Sequence, residues 1–326
     1  QIYKCFGCSV GGGVINFIME IEGMEFINAV KHLADQYSIE LQIDETAGQS
    51  KDLITQLFDI HEKTAHTFLK NLGTEEGSKV LAHLESRGLS RDTIKKFKLG
   101  YSLKQKDALL SAFRKEGVGS DAMKQSGLFI DTKGGYMDRF RGRIMFSIPN
   151  SSGKIAAFAG RVFESNDIAK YVNSPETPIY NKSKILYGLH ETKQTIRESN
   201  SVIVVEGYLD FLQLYQSGIH NIVAVSGTAF TDQHALQLKR FCNNVNLAYD
   251  GDSAGITAAI RAGYVLLRAG LSPFIVNMPE ELDPDDWVKR DGNAPFLEAV
   301  ESGEKLLPFH FQNYKDDIST TSGKTA

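Results

Sequence analysis

The sequence lacks the features of a secreted or membrane-spanning protein. No apolar run approaches the roughly 18 to 20 residues of a membrane helix, and no charged start leads into an apolar stretch of signal-peptide type. Cysteine is scarce. Cys5, Cys8 and Cys242 are the only three, an odd count with two at Cys-x-x-Cys spacing, which excludes a disulfide framework and suits a reducing compartment. The expected location is therefore cytoplasmic, with no membrane partner. Motor motifs are missing too. "SGKTA" near the end has Ile318 where a phosphate-binding loop needs glycine, and "VGGGVI" has Asn16 where a dinucleotide fingerprint needs its third glycine. No histidine pairs with the cysteines at ligand spacing, so all eight are read as structural or surface residues. Repeats and low-complexity tracts are absent. The chain begins on Gln1 rather than Met, and a fragment is the expectation.

What is present is enough for two or three domains: 326 residues, 42% hydrophobic and 23% charged. A net charge of -4 conceals a contrast, because residues 87–187 carry about +10 and residues 201–286 about -6. The first region suits polyanions and the second suits cations.

Hydrophobic spacing divides the chain. Residues 1–43 read as a small knuckle, "YKCFGCSVGGG", followed by helices, and the polar stretch "DETAGQSKD" at 44–52 reads as a linker. From Leu53 to about Gly127 the spacing predicts four or five short helices, with Ser90 as an N-cap. In "DRFRGRIMFSI" the period changes to two, which places Phe140, Ile144, Phe146 and Ile148 on one face of a strand and Arg139, Arg141 and Arg143 on the other. "IAAFAGRVF" is a second strand. From Ser201, short apolar runs alternate with helical segments, the pattern of a parallel sheet with helices on its faces. The fold class expected is α/β (α+β overall): a mixed helical/β basic subdomain at 53–195, a parallel-sheet α/β domain at 196–286 and a helical tail at 287–326.

In an open parallel sheet the ligand site lies beyond the carboxyl ends of the strands. Acids collect there. Glu206 ends the first strand, Asp250 and Asp252 in "AYDGDSAG" end the third, and Asp283 and Asp285 in "ELDPDDW" follow the fourth. Asp210 lies one helical turn past Glu206. Carboxylates at that density either share protons or hold a cation, and hard oxygen donors favour Mg²⁺ or Mn²⁺. Next to a basic region, such a site points to phosphoryl transfer. Either motif alone reads as a turn or a helix cap; their joint placement is what carries chemistry.

"VVEGYLD" together with "AYDGDSAG" resembles the Toprim domain of primases, topoisomerases and some nucleases. "RGLSRDTIKKFKLGYS", "DRFRGRIMFSIPNSSGKIAAFAGRV" and "KYVNSPETPIYNKSKILYGL" resemble the polymerase core of the bacterial DnaG-type primases, and the first 43 residues resemble the second half of their zinc-binding domain. The resemblance implies synthesis of short RNA primers on single-stranded DNA from ribonucleoside triphosphates. It implies Glu206, Asp250 and Asp252 as catalytic residues, with Glu206 a candidate general base, and Glu206, Asp210, Asp250, Asp252, Asp283 and Asp285 as ligands of Mg²⁺ or Mn²⁺. It also implies Arg87, Arg141, Arg143, Arg161, Lys170, Tyr171, Asn173 and Lys182 as the nucleotide- and template-binding groove. Cys5 and Cys8 match two of four zinc ligands, so Zn²⁺ is expected in the full-length protein from an incomplete set here. A replicative helicase is the partner implied for a C-terminal domain that this chain lacks. The rival readings are a Toprim nuclease or topoisomerase-like enzyme and a DNA-binding scaffold without chemistry.

Overall fold

The computed structural model describes residues 2–4, 11–24, 26–39, 48–164, 169–280 and 282–313. Cys5, Cys8 and the polar tail from 314 onward lie outside the described residues. The chain forms two compact units, Gln1–Lys193 and Gln194–Ala326.

The first unit opens with β1 (Tyr3–Lys4) paired antiparallel to β2 (Gly11–Gly12), then α1 (Val14–Glu22) and α2 (Phe26–Gln36). Next comes α3 (Gly48–Asn71), a helix of 24 residues. This corrects the linker read at 44–52, because residues 48–52 are the start of α3. Their polar composition looked like a loop, yet Gln, Ser, Lys and Asp without proline are compatible with a helix. Helix α4 (Glu75–Ser86) is capped by Thr74, whose Oγ1 accepts from Gly77 N at 3.1 Å, and α5 (Arg91–Lys96) is capped by Ser90 as the sequence predicts. Strand β3 (Gly100–Ser102) interrupts the stretch read as wholly helical. Three residues are too few to show a period, and Gly100 is there for close approach: a Cβ on it would lie 2.3 Å from the Phe68 backbone of α3. Helices α6 (Ala108–Lys115) and α7 (Ser120–Gln125) then precede the hairpin of β4 (Phe129–Thr132) and β5 (Gly135–Asp138).

Strands β6 (Arg143–Pro149), β7 (Ile155–Val162) and β8 (Tyr171–Asn173) complete an antiparallel sheet of order β3-β6-β7-β8. Helix α8 (Leu189–Ser199) runs across the division between the units. The alternation expected of "DRFRGRIMFSI" is corrected here. The strand begins at Arg143, and every residue from Arg143 to Ile148 is buried, because β6 is an inner strand covered on both faces. Arg139 and Arg141 precede it and share no strand face.

The core of this unit centres on Phe158. Its ring lies 5.3 Å from Phe68, 6.4 Å from Phe140 and 5.7 Å from the stacked ring of His61. His61 is fully buried, with Nδ1 2.7 Å from Leu57 O, and burial pushes its pKa down to about 4. The unfolded chain therefore binds a proton below about pH 6.5 that the folded protein refuses until about pH 4. Stability from this group is complete above pH 6.5 and falls as pH drops toward 4, by about 3 kcal/mol in total. Melting curves between pH 7 and 4.5 should show the loss, and His61→Leu should reduce the slope.

In the second unit, β9 (Ser201–Val205), α9 (Tyr208–Gln216), β10 (Ile222–Ala224), α10 (Asp232–Leu238), β11 (Asn244–Leu247), α11 (Ser253–Arg268) and β12 (Ser272–Ile275) alternate as the sequence predicts. Then follow α12 (Pro284–Asp291), α13 (Asn293–Glu301), β13 (Glu304–Lys305) and α14 (Leu306–Gln312). The sheet order is β10-β9-β11-β12-β13, parallel except for β13, a two-residue edge strand invisible to periodicity. Chain order reverses between β9 and β11. That switch point is where such a sheet opens a crevice at its carboxyl edge.

Candidate metal centre and nucleic-acid interface

The switch point carries the acids. Glu206 follows β9 and Asp250 follows β11, and the two touch: Asp250 N donates to Glu206 Oε1 at 3.4 Å. Burial, then the neighbouring Asp250, raises the pKa of Glu206. Asp252 is exposed and turns to cap α11, its Oδ1 accepting from Gly255 N at 2.7 Å. On the fourth strand's side, Asp283 caps α12 by accepting from Asp286 N at 2.7 Å. Asp285 is buried on the first turn of that helix and pairs with Lys289 Nζ at 2.6 Å, one turn on.

Asp210 links the two corners. It is buried on α9, and its Oδ2 accepts from Gly207 N at 2.9 Å. Burial, followed by the negative charges of Asp283, Asp250 and Asp285, pushes its pKa up to about 8. At neutral pH this carboxyl keeps its proton unless a cation replaces it. Among the described residues, Asp283, Asp285 and Asp286 are the group whose carboxylate oxygens come within 4.8 Å of one another. Asp286 was not among the ligands expected from the sequence, because its neighbour in "DPDD" matched the motif first. The donor set suits a hard divalent cation, since every donor is a carboxylate oxygen.

The basic residues lie on the first unit and fall into two sorts. Arg143 is 4% exposed, and its Nη1 donates to Gly160 O at 3.2 Å and to Ala169 O at 3.0 Å. Arg141 is half-buried and donates to Asp138 O. Both guanidinium groups donate to backbone carbonyls. Arg161, on β7, faces Tyr171 across the β7–β8 register, with its guanidinium 5.7 Å from the ring centroid and Nη1 3.4 Å from the hydroxyl. Arg87 sits at the C-cap of α4. Burial and then Arg161 and Arg87 lower the pKa of His83, which packs edge-on to Phe163 at 5.5 Å. His83 thus joins Arg87, Arg161 and Tyr171 in one cluster that spacing in sequence could not reveal. Lys170 is exposed before β8, Asn173 ends that strand, and Lys182 begins a 3-10 turn, Lys182–Lys184, with its backbone N bonded to Glu176 Oε1 at 2.9 Å.

Three family models match the chain: the CHC2 zinc finger over residues 1–49, the N-terminal domain of the DNA primase catalytic core over 67–193, and a Toprim-like model over 203–288. A solved DnaG primase catalytic domain bound to single-stranded DNA is 34% identical, with a TM-score of 0.75, covering 84% of this chain and 88% of that one. The chain belongs to the DnaG-type DNA primase family. The zinc-binding and RNA polymerase domains of the Aquifex aeolicus primase give a TM-score of 0.74 at 31% identity, over 98% of this chain and 77% of that one. The DNA primase of Listeria monocytogenes is 37% identical over 309 residues, and that of Clostridium acetobutylicum 35% over 322. Those matches take in 92% and 98% of this chain but only 49% and 53% of the relatives. The chain thus spans about half the length of the curated primases it matches.

Proposed function

We propose that this chain carries the nucleotidyl-transfer core of a primase, joining ribonucleotides into short primers on a single-stranded DNA template. The observation that carries the reading is the gathering of carboxyl groups at the carboxyl edge of the sheet: buried Asp210, the touching Glu206 and Asp250, and Asp283, Asp285 and Asp286 with oxygens within 4.8 Å of one another. Such a cluster is poised to exchange a proton for a divalent cation. Glu206, Asp210, Asp250 and Asp252 would hold it, and Asp283 and Asp285, with Asp286 beside them, offer a second position. A bound Mg²⁺ or Mn²⁺ would neutralise phosphate oxygens and acidify the attacking hydroxyl.

In the reaction, the 3′-hydroxyl oxygen forms a bond to the α-phosphorus of the incoming nucleotide, and the bond to pyrophosphate breaks. Glu206 is the acceptor assigned to the hydroxyl proton, since its raised pKa makes it a better base than an ordinary carboxylate. Arg87, Arg161, Lys170 and Lys182 supply positive charge for backbone and triphosphate, and Tyr171 offers a ring for a base. Cys5 and Cys8 would provide two of four zinc ligands.

Pyrophosphate release from ribonucleoside triphosphates, measured with single-stranded DNA and Mn²⁺, tests the reading; release that depends on both DNA and metal is expected. DNA cleavage without release would favour the nuclease. For the basic surface, Arg161→Ala should weaken binding to all single-stranded sequences alike. It should also reduce the slope of log K against log salt by about 0.7, the loss of one phosphate contact, in a fluorescence-anisotropy titration.

A further inference from the structure

The hydroxyl of Tyr249 has no part in the chemistry above, yet its placement is unusual. Tyr249 is 5% exposed, and its hydroxyl is buried without a hydrogen-bond partner among the described residues. A hydroxyl left that way is costly, because it gives up water and gains nothing. Strands β9 and β11 explain what stands beside it. Their last ladder pair is Val204 with Leu247, and Ala248 N still donates to Val204 O at 2.9 Å. Beyond that pair, Tyr249 directly precedes Asp250, whose N donates to Glu206 Oε1 at 3.4 Å. Burial first, and then the charge of Glu206, keep the Tyr249 hydroxyl protonated and so a donor. Glu206 meanwhile has one oxygen in a long bond, 3.4 Å, to Asp250 N. Tyr249 also lines a pocket of about 290 Å³ together with Asp250, Ile256 and Phe309.

We propose that Tyr249 is a positioning residue for Glu206: its hydroxyl donates to the Glu206 carboxylate once a divalent cation occupies the acid cluster, fixing which oxygen faces the cation. The proposal rests on the metal reading given above. Its physical basis is general, since carboxylates that ligate metals are themselves held by hydrogen bonds from behind.

Tyr249→Phe separates this from a packing role, because it keeps the ring and removes only the oxygen. Mn²⁺ binding to the chain, followed by electron paramagnetic resonance, should weaken about tenfold. The metal-free melting temperature should stay constant or rise by roughly 1–3 °C, as an unpaired buried hydroxyl is lost. In primer synthesis kcat should fall with the nucleotide KM unchanged. Mn²⁺ affinity equal to wild type would overturn the proposal, as would a lowered melting temperature accompanying weaker binding, which would make Tyr249 a packing residue. A wild-type chain that binds no Mn²⁺ would overturn the metal reading and this proposal with it.

Discussion

Asp250→Ala is expected to lower template-directed ribonucleotide incorporation on the order of 10³-fold, equivalent to about 4 kcal/mol of transition-state stabilisation, with affinity for single-stranded DNA within about twofold of wild type. The asymmetry follows from which unit bears which charge. Asp250 is in the carboxylate cluster after β11, whereas the arginines proposed to meet phosphate are on the first unit. A second consequence comes from Asp210, whose proton is held partly by the charge of Asp250. Removing that charge lets Asp210 ionise at a lower pH. Steady-state incorporation, anisotropy and a pH-dependent melt on the same variant would check all three. Wild-type incorporation by Asp250→Ala would remove the acid cluster from the mechanism.

The pH dependence of cation binding should be as large an effect. Because the folded pKa of Asp210 is raised from the ordinary 3.8 to about 8, the folded metal-free protein binds a proton that the unfolded chain has released above pH 4. Its contribution to stability is therefore full below pH 4, declines as pH rises, and is lost by about pH 8. A cation reverses that trend by displacing the proton. Mn²⁺ affinity should rise roughly tenfold per pH unit from pH 6 to about pH 8 and then level off, with about one proton released per cation bound below the midpoint. Asp210→Asn should flatten the pH profile, weaken binding, and raise the metal-free melting temperature at pH 8.5. Isothermal titration calorimetry in two buffers of different ionisation enthalpy measures the proton count directly. A profile unchanged in Asp210→Asn would place the titrating group elsewhere.

How much of this was legible beforehand depended on the reach of the pattern. The alternation from Ser201 onward specified β9 to β12 because each strand is a short apolar run bounded by a helix, and the acids could then be placed at the carboxyl edge from topology alone. The two-residue strand β13 and the three-residue β3 were beyond any periodic signal. The arginines of "DRFRGR" misled for a physical reason: alternation predicts an exposed face only when one face meets solvent, and β6 is buried on both. Polar composition at 48–52 hid the first turn of α3. Within the site, the types of residue were readable and their tasks were not. Asp285 is paired with Lys289, Asp252 caps a helix, and Asp210 is the carboxyl on which the others converge. His83 joins the basic cluster by packing on Phe163, just past β7, and Tyr249 precedes Asp250, whose amide bonds the Glu206 carboxylate. Both depend on contacts between residues far apart in sequence.

The central claim is tested most directly by incubating this chain with a defined single-stranded DNA, labelled ribonucleoside triphosphates and Mn²⁺, and analysing the labelled products. The account predicts short RNA products complementary to the template, lost on omission of metal and in Asp250→Ala. Products whose sequence ignores the template, or cleaved DNA with no ribonucleotide incorporated, would contradict it.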